Sequence, residues 1–392
     1  MLPLKGVRIL DLTTLNGFAS MELADYGAEL IKVERLDGGD PTRAYPPFKD
    51  GVAVYHAFMD RGEKSITLNL WSKEGQEVFK KLVKHVDVVI ENFKVGTMEK
   101  LGVGYDVLSK INPKLVYGAL TGFGSTGPLK DYICYDIVSQ ARSGCMDITG
   151  FPDNQPMRVG AFIGDHYSAT YLCCAVTMAV YNAKATGVGQ RVESSMFEAL
   201  FSATEDRVMM VDKATEGWSR TGNAHPSINP YDIFKCKDGY IALGVSTDDQ
   251  WQKFCDVFGK PEWAVDPKYV INAKRGENYF GDLRDKIEDL LSNYGKYEIA
   301  AKCDSVKVPG CAVETVKDAI NQEQLKVRDM IIKVTDQRIG DIDMPGRIIK
   351  FHDETADPAI ASAPLLGQDN DVIYGGIFSV DKIAELKAAG VI

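Results

Sequence analysis

The segment GVRILDLTTLNGFASMELADYGAELIKVE, residues 6–34, decides the fold. Its first seven residues read as a short apolar strand. ASMELADYG (19–27) has helical spacing and stops at Gly27, and AELIKVE (28–34) is a second strand. Two strands joined through one helix form a β-α-β unit. The alternation continues. SITLNL (65–70) is strand-like, and SKEGQEVFKKLVKHV (72–86) is helical with Ser72 as its N-cap. DVVIENF (87–93) and LVYGALTGFG (115–124) are the short apolar strands that a parallel sheet buries on both faces. Residues 1–190 are therefore expected to form a Rossmann-like open parallel α/β sheet.

The rest of the composition bounds the function. A chain of 392 residues exceeds what one hydrophobic core usually serves, so two domains are expected. Apolar residues make up 45% and charged residues 26%, an ordinary globular balance. A net charge of -10 argues against nucleic acid as the main partner, although local charge can still hold a small anion. The longest uncharged apolar run, about Tyr171 to Tyr181, falls short of the roughly 20 residues a bilayer needs. The N-terminus has no cleavable signal pattern. Eight cysteines form no CxxC pair and no zinc spacing, and most sit in apolar runs as reduced thiols, which points to the cytoplasm.

The texture changes after residue 190. We expect a linker helix over 191–214, a smaller α+β domain over 215–325, and a return to the large domain over 326–392. The small domain contains a hairpin candidate, YDIFKCKDGYIALGV, turning at Asp238-Gly239, and a further strand at VPGCAV (308–313). The large domain is thus built from N- and C-terminal segments, with the candidate site in residues 1–190.

Four places can carry chemistry. Asp165 follows Gly164 and opens a long helical run ending at Gly187, so it is expected to be the N-cap of that helix. A carboxylate there is also stabilised as the anion a nucleophile must be, and the two roles are compatible. The first βα turn has a single Gly17 where dinucleotide enzymes carry G-x-G-x-x-G, which disfavours a nicotinamide or flavin cofactor. In IKVERLDGGDPTR (31–43), Arg35 and Arg43 flank Gly38-Gly39 and offer paired donors to phosphate; the plainer reading is a solvated loop. In ENFKVGTMEKLGVGYD (91–106), Asn92 and Phe93 leave a strand end and Lys100 follows on a helix. His56, His85, His166, His225 and His352 are scattered without metal spacing, so no metal is expected.

In this order and spacing, GVRILDL, LADYGAELIKVE, GGDPTR, ENF, NPKLVYGALTGFGSTGP, YDIVSQARSG, IGDHYSA, VPGCAV and APLLGQ resemble the class III CoA-transferases, the carnitine, formyl-CoA and 2-hydroxyacyl-CoA transferase group. The resemblance runs along essentially the whole chain. It implies that Asp165 attacks an acyl-CoA thioester, giving a mixed anhydride and then an aspartyl-CoA thioester that a free carboxylic acid takes up. It implies a CoA site of Arg35, Asn92, Phe93 and Lys100, with Tyr135 and Asp136 near the nucleophile and Asp136 counted as CoA-binding. Asn16, Tyr135 and Gly164 would line the active site. The partners are an acyl-CoA and a small carboxylic acid, with no cofactor beyond that CoA substrate, and the assembly is an interlocked homodimer.

The chain departs from the family pattern in three ways. Its first turn reads Leu15-Asn16-Gly17-Phe18 instead of an Ala-Gly-Pro turn, Lys100 stands where arginine is common, and 220–230 has no poly-glycine loop. Another element, such as the partner subunit, would then shield the anhydride. Two rivals stay open: an α-methylacyl-CoA racemase and a non-catalytic acyl-CoA-binding protein. The racemases carry a histidine at the position of Tyr135, and a phenol with a reference pKa near 10 is a poor replacement for that base.

Overall fold

The computed structural model describes residues 2–213, 220–351 and 359–392, so His352 lies outside the described residues. The chain divides into two compact units. One comprises Met1–Ser143, Gly160–Thr204 and Glu323–Ile392, and the other Gly144–Val159 and Glu205–Gln322.

In the first unit the chain runs β1 (Arg8–Asp11), α1 (Phe18–Asp25), β2 (Glu29–Glu34), α2 (Val54–Met59), β3 (Lys64–Thr67), α3 (Lys73–Val83), β4 (Val88–Glu91), α4 (Thr97–Lys100) and β5 (Val116–Thr121). It continues through α5 (Asp136–Arg142), α6 (Ile163–Thr186), β6 (Arg191–Ser195) and α7 (Met196–Ser202). The six strands form one sheet in the order β3-β2-β1-β4-β5-β6, and every pairing is parallel. This is the strand order of dinucleotide-binding sheets, with its reversal between β1 and β4.

Strand side chains alternate between two cores, as the two-residue period requires. Leu10, Ile31, Ile66 and Val89 pack with Val78, Phe79 and Leu82 of α3 on one face. Ile9, Leu30, Val88 and Ile90 pack with Phe18 of α1 and Leu172, Val176 and Ala179 of α6 on the other. Ser72 caps α3 through a hydrogen bond from Gly75 N, and Gly187 ends α6 at φ 78°.

The tail covers the β3 edge. Asn370 Oδ1 accepts from Thr67 N at 2.8 Å, Asp369 Oδ2 accepts from Ser65 N at 2.9 Å, and the Tyr374 hydroxyl donates to Thr67 O at 2.7 Å. Side chains thus satisfy backbone groups that an open sheet edge would leave unpaired.

Two boundaries differ from the sequence expectation. Arg191–Ser195, read as part of a linker helix, is the edge strand β6, because it can pair with β5. Residues Gly144–Val159 leave the first unit for the second, where Gly150 O accepts from Gly222 N. In the second unit Tyr231–Cys236, Gly239–Gly244 and Gly310–Ala312 form an antiparallel sheet packed on Trp251, Phe254 and Leu283. No helix among the described residues is long and apolar enough to cross a membrane.

Candidate active site

Loops leaving β1 and β4 diverge at the reversal of strand order, where open α/β sheets hold their ligands. The loop after β1 is built from below. Buried Asp11 accepts from Thr13 N at 2.9 Å and from Thr13 Oγ1 at 3.0 Å. Thr14 is held from β4: its N–H donates to Asn92 Oδ1 at 2.9 Å, and Asn92 Nδ2 donates to Thr14 O at 2.8 Å. Leu15 then turns at φ 65°, a left-handed conformation that costs a non-glycine residue energy. The turn delivers Asn16, whose Nδ2 donates to Asp165 Oδ1 at 2.8 Å.

Asp165 sits in the first turn of α6 but does not cap it, contrary to the sequence reading. The helix starts at Ile163, and its N-cap, Phe162, offers no side-chain bond. The capping carboxylate comes from another helix. Asp136 Oδ1 accepts from Gly164 N at 2.8 Å, while its Oδ2 accepts from Gln140 Nε2 at 2.7 Å. Asp136 is buried with both oxygens engaged and serves as an internal cap for α6. Gly164 is needed for this close approach, since a Cβ there would clash with Ser139 Oγ and lie 3.1 Å from Asp136 Oδ1.

These surroundings set the chemistry of Asp165. Burial, reinforced by the negative charge of Asp136, pushes its carboxyl up to about 7, against the opposing hydrogen bond from Asn16. Two residues that sequence reasoning missed share its field. Tyr55 of α2 is pushed up to about 12 by burial and then by Asp165, and Cys134 is pushed up to about 12 by burial, Asp165 and Asp136. No local pattern in VYHAFM or YICYD marks them. His166 turns away from Asp165, as neighbours on a helix do, and its ring lies 3.7 Å from that of Phe18.

A charged cluster lies under the loop. Lys32 of β2 is buried, with Asp60 Oδ1 at 3.2 Å, Asp11 Oδ2 at 3.3 Å and Asp40 Oδ2 at 3.6 Å from its ammonium. A Cβ built on Gly17 would lie 3.8 Å from Lys32 Nζ, so the cluster sits directly beneath the residue next to Asn16.

The remaining site residues are spread along the carboxyl edge of the sheet. Arg35 leaves β2 exposed, its guanidinium donating from Nε and Nη2 to Gly39 O, both at 3.3 Å. Arg43 is not a free phosphate ligand, because it pairs in bidentate fashion with Glu34 at 2.7 and 2.6 Å. Phe93 is half-buried against the core, Lys100 is exposed at the end of α4, and Tyr135 is exposed immediately before α5. Among the described residues, no group of three or more His, Cys, Asp or Glu side chains is arranged to hold a metal ion.

The chain is similar to known proteins along nearly its whole length. The model of the CoA-transferase family III matches residues 4–370. The chain is 36% identical over 352 residues to the acetyl-CoA:oxalate CoA-transferase of Acetobacter aceti, covering 89% of each. It is 33% identical to the succinyl-CoA–D-citramalate CoA-transferase of Chloroflexus aurantiacus, covering 100% of this chain and 98% of that one. The crystal structure of a CAIB/BAIF family protein from Brucella suis superposes with a TM-score of 0.84 at 32% identity, covering 96% of this chain and 99% of the other.

Proposed function

Because the chain belongs to CoA-transferase family III, and so is an enzyme that moves CoA between an acyl-CoA and a carboxylate, we propose that Asp165 carries the CoA through covalent intermediates. The observation that supports this is the half-buried Asp165 carboxylate at the start of α6, with Asn16 as its hydrogen-bond donor and a pKa near 7. A carboxylate this basic is a better nucleophile than an ordinary one, yet about half ionised at neutral pH.

The proposed steps balance without a cofactor or a net proton. A carboxylate oxygen of Asp165 attacks the thioester carbonyl, and collapse of the adduct expels CoA thiolate and leaves a mixed anhydride. The thiolate attacks the aspartyl carbonyl, releasing the donor acid as its carboxylate and forming an aspartyl-CoA thioester. The acceptor carboxylate attacks that thioester, expelling the thiolate and forming a second anhydride. Attack of the thiolate on the acceptor acyl carbon then frees the product acyl-CoA and restores Asp165.

Oxalate, succinate and citramalate in the names of the two relatives are short dicarboxylates, so acids of that class are the proposed exchange partners. The test incubates the protein with acyl-CoAs and free acids and follows the CoA esters by mass spectrometry. Exchange supports transfer. Deuterium uptake at the α-carbon without exchange would make the protein a racemase, and neither would leave a binder.

Arg35 and Lys100 are the proposed contacts for CoA phosphates, a role supported by their exposed cationic groups, Arg35 just past β2 and Lys100 at the end of α4. Losing one such charged contact costs about 1.5–3 kcal/mol of binding. Arg35→Ala is therefore expected to raise the Michaelis constant for every CoA ester, and an unchanged constant would remove Arg35 from the site.

The homodimer, and residence in the cytosol with its thiols reduced, belong to the same proposal. Support for the dimer comes from α6, which presents Tyr167, Tyr171, Met178 (69% exposed) and Tyr181 (78% exposed) on its outer face. Such an apolar stripe is the kind of surface a second copy covers. Sedimentation at nanomolar concentration is expected to show a dimer only. A folded, active monomer would refute it.

A further inference from the structure

We propose that Asn92 is a positioning residue and not a contact for CoA: its side-chain amide clasps the main chain of Thr14 and thereby holds Asn16 against Asp165. The inference rests on Asp165 being the reacting carboxylate.

The last main-chain rung between β1 and β4 is Leu12 N to Ile90 O at 2.8 Å. Two residues further on, the strands have diverged, and the Asn92 amide supplies the next rung with both of its ends. Thr14 N–H donates to Oδ1, and Nδ2 donates to Thr14 O. Opposite polarities on one residue's main chain fix the amide in a single orientation. Asn92 is itself held, because Glu91 accepts from Phe93 N at 2.7 Å and from the Tyr117 hydroxyl at 3.2 Å. Thr13 is held by Asp11 and Thr14 by Asn92, and beyond the turn at Leu15 the Asn16 N–H donates back to Thr14 O at 2.8 Å. Asn16 is the one side chain hydrogen-bonded to the Asp165 carboxyl group among the described residues. The two bonds to Thr14 set the position of the amide and leave it one N–H and one lone pair.

Position matters here because a reacting group displaced by an ångström can lose up to about a hundredfold in rate. Asp165 is faced by Asp136 from α5, Tyr55 from α2, Cys134 and the Asn16 amide. Of these, the Asn16 hydrogen bond favours the Asp165 anion, so releasing it moves the Asp165 titration upward.

The test compares Asn92→Ala, Asn16→Ala and the double variant in the full chain. Three quantities are read: kcat, the dissociation constant of CoA by calorimetry, and the protonation midpoint of Asp165 by infrared difference against Asp165→Asn. Each single variant is expected to lose roughly ten- to a hundredfold in kcat, with the midpoint above that of the wild type. CoA affinity should change by less than about threefold, and the double variant should be no slower than Asn16→Ala alone, since both act through one contact. Asn92→Ser keeps one polar partner for Thr14 and should show the same changes, smaller, should the alanine variant not fold. CoA affinity weakened tenfold or more with kcat and midpoint unchanged would overturn the proposal, as would kcat losses that multiply in the double variant. If Asp165→Asn still transfers CoA, the nucleophile reading fails. The infrared midpoint, which needs no catalysis, then still decides whether Asn92 holds Asn16 against Asp165.

Discussion

Asp165→Asn is expected to yield a folded protein with essentially no CoA transfer. The fold should survive because Asp165 caps nothing; Asp136 holds the start of α6. The asparagine can still accept the hydrogen bond from Asn16 Nδ2. The sign of the titration adds to this. The folded pKa of Asp165 is raised from 3.8 to about 7, so its ionisation detracts from stability progressively as pH rises from about 4 to about 7. A neutral amide removes that cost, and the variant should be at least as stable as the wild type at pH 7. Transfer, by contrast, should fall on the order of 10⁴-fold or more, the scale on which removal of a covalent nucleophile acts. An amide can form neither the anhydride nor the aspartyl thioester. In the wild type, kcat/KM should rise with pH through about 7 as the attacking anion forms, then level off. Hydroxylamine or borohydride added after an acyl-CoA should mark the peptide containing Asp165 in the wild type and leave it unmarked in the variant. Transfer by Asp165→Asn at near wild-type rate would end the covalent reading.

How much of this was legible depends on how local each interaction is. The β-α-β opening could be read because strand and helix periods are short-range, and each run from GVRILDL to LVYGALTGFG shows its period within a few residues. Asp165 stood out because a glycine before an acid at a helix start is also a local pattern. Its environment was not legible. The cap of α6 lies 28 residues upstream in Asp136, and Asn16 reaches Asp165 across 149 residues. The same distance in sequence hid the use of Asn92, which looked like a free polar group at a strand end until Thr14, 78 residues earlier, took both ends of its amide. Arg43 next to Arg35 looked like a second phosphate ligand, but Glu34 had already claimed it. One signal in the opening stretch could have been used further. A lysine in the middle of AELIKVE, a buried parallel strand, must find countercharges, and that requirement predicts a carboxylate cluster without naming its members.

Lys32→Met carries the largest expected loss of stability. The Lys32 side chain is 2% exposed, and its ammonium lies within 3.6 Å of carboxylate oxygens of Asp11, Asp40 and Asp60. Burial works against its charge, but Asp60, Asp11, Glu63 and Asp40 together outweigh burial and hold it protonated well above its ordinary range. Burial likewise opposes the Asp60 anion, yet Lys32 and His56, whose Nδ1 is 2.5 Å from Asp60 Oδ2, lower its pKa to about 2. One cation cannot serve every acid. Glu63, buried beside them, has its carboxyl pushed well up by burial, against the opposing pull of Lys32. Removing the cation alone strands Asp11, Asp40 and Asp60 in a dry interior, which typically costs about 3–5 kcal/mol. The linkage signs define the pH window. The depressed pKa of Asp60 contributes stability above about pH 4, lost as pH falls towards 2, while the raised pKa of Lys32 contributes stability at every pH below its unfolded value of 10.5. The deficit of Lys32→Met, read by urea denaturation, should therefore be full at pH 7 and narrow near pH 3, where protonated acids need no counterion. A deficit below about 1 kcal/mol at pH 7 would contradict this account, and so would one that widens towards acid. Because Gly17, next to Asn16, rests on this cluster, the variant should also lose transfer activity under conditions where it remains folded. A variant fully active at pH 7 would show that the cluster supports the fold alone and leaves the loop that reaches Asp165 untouched.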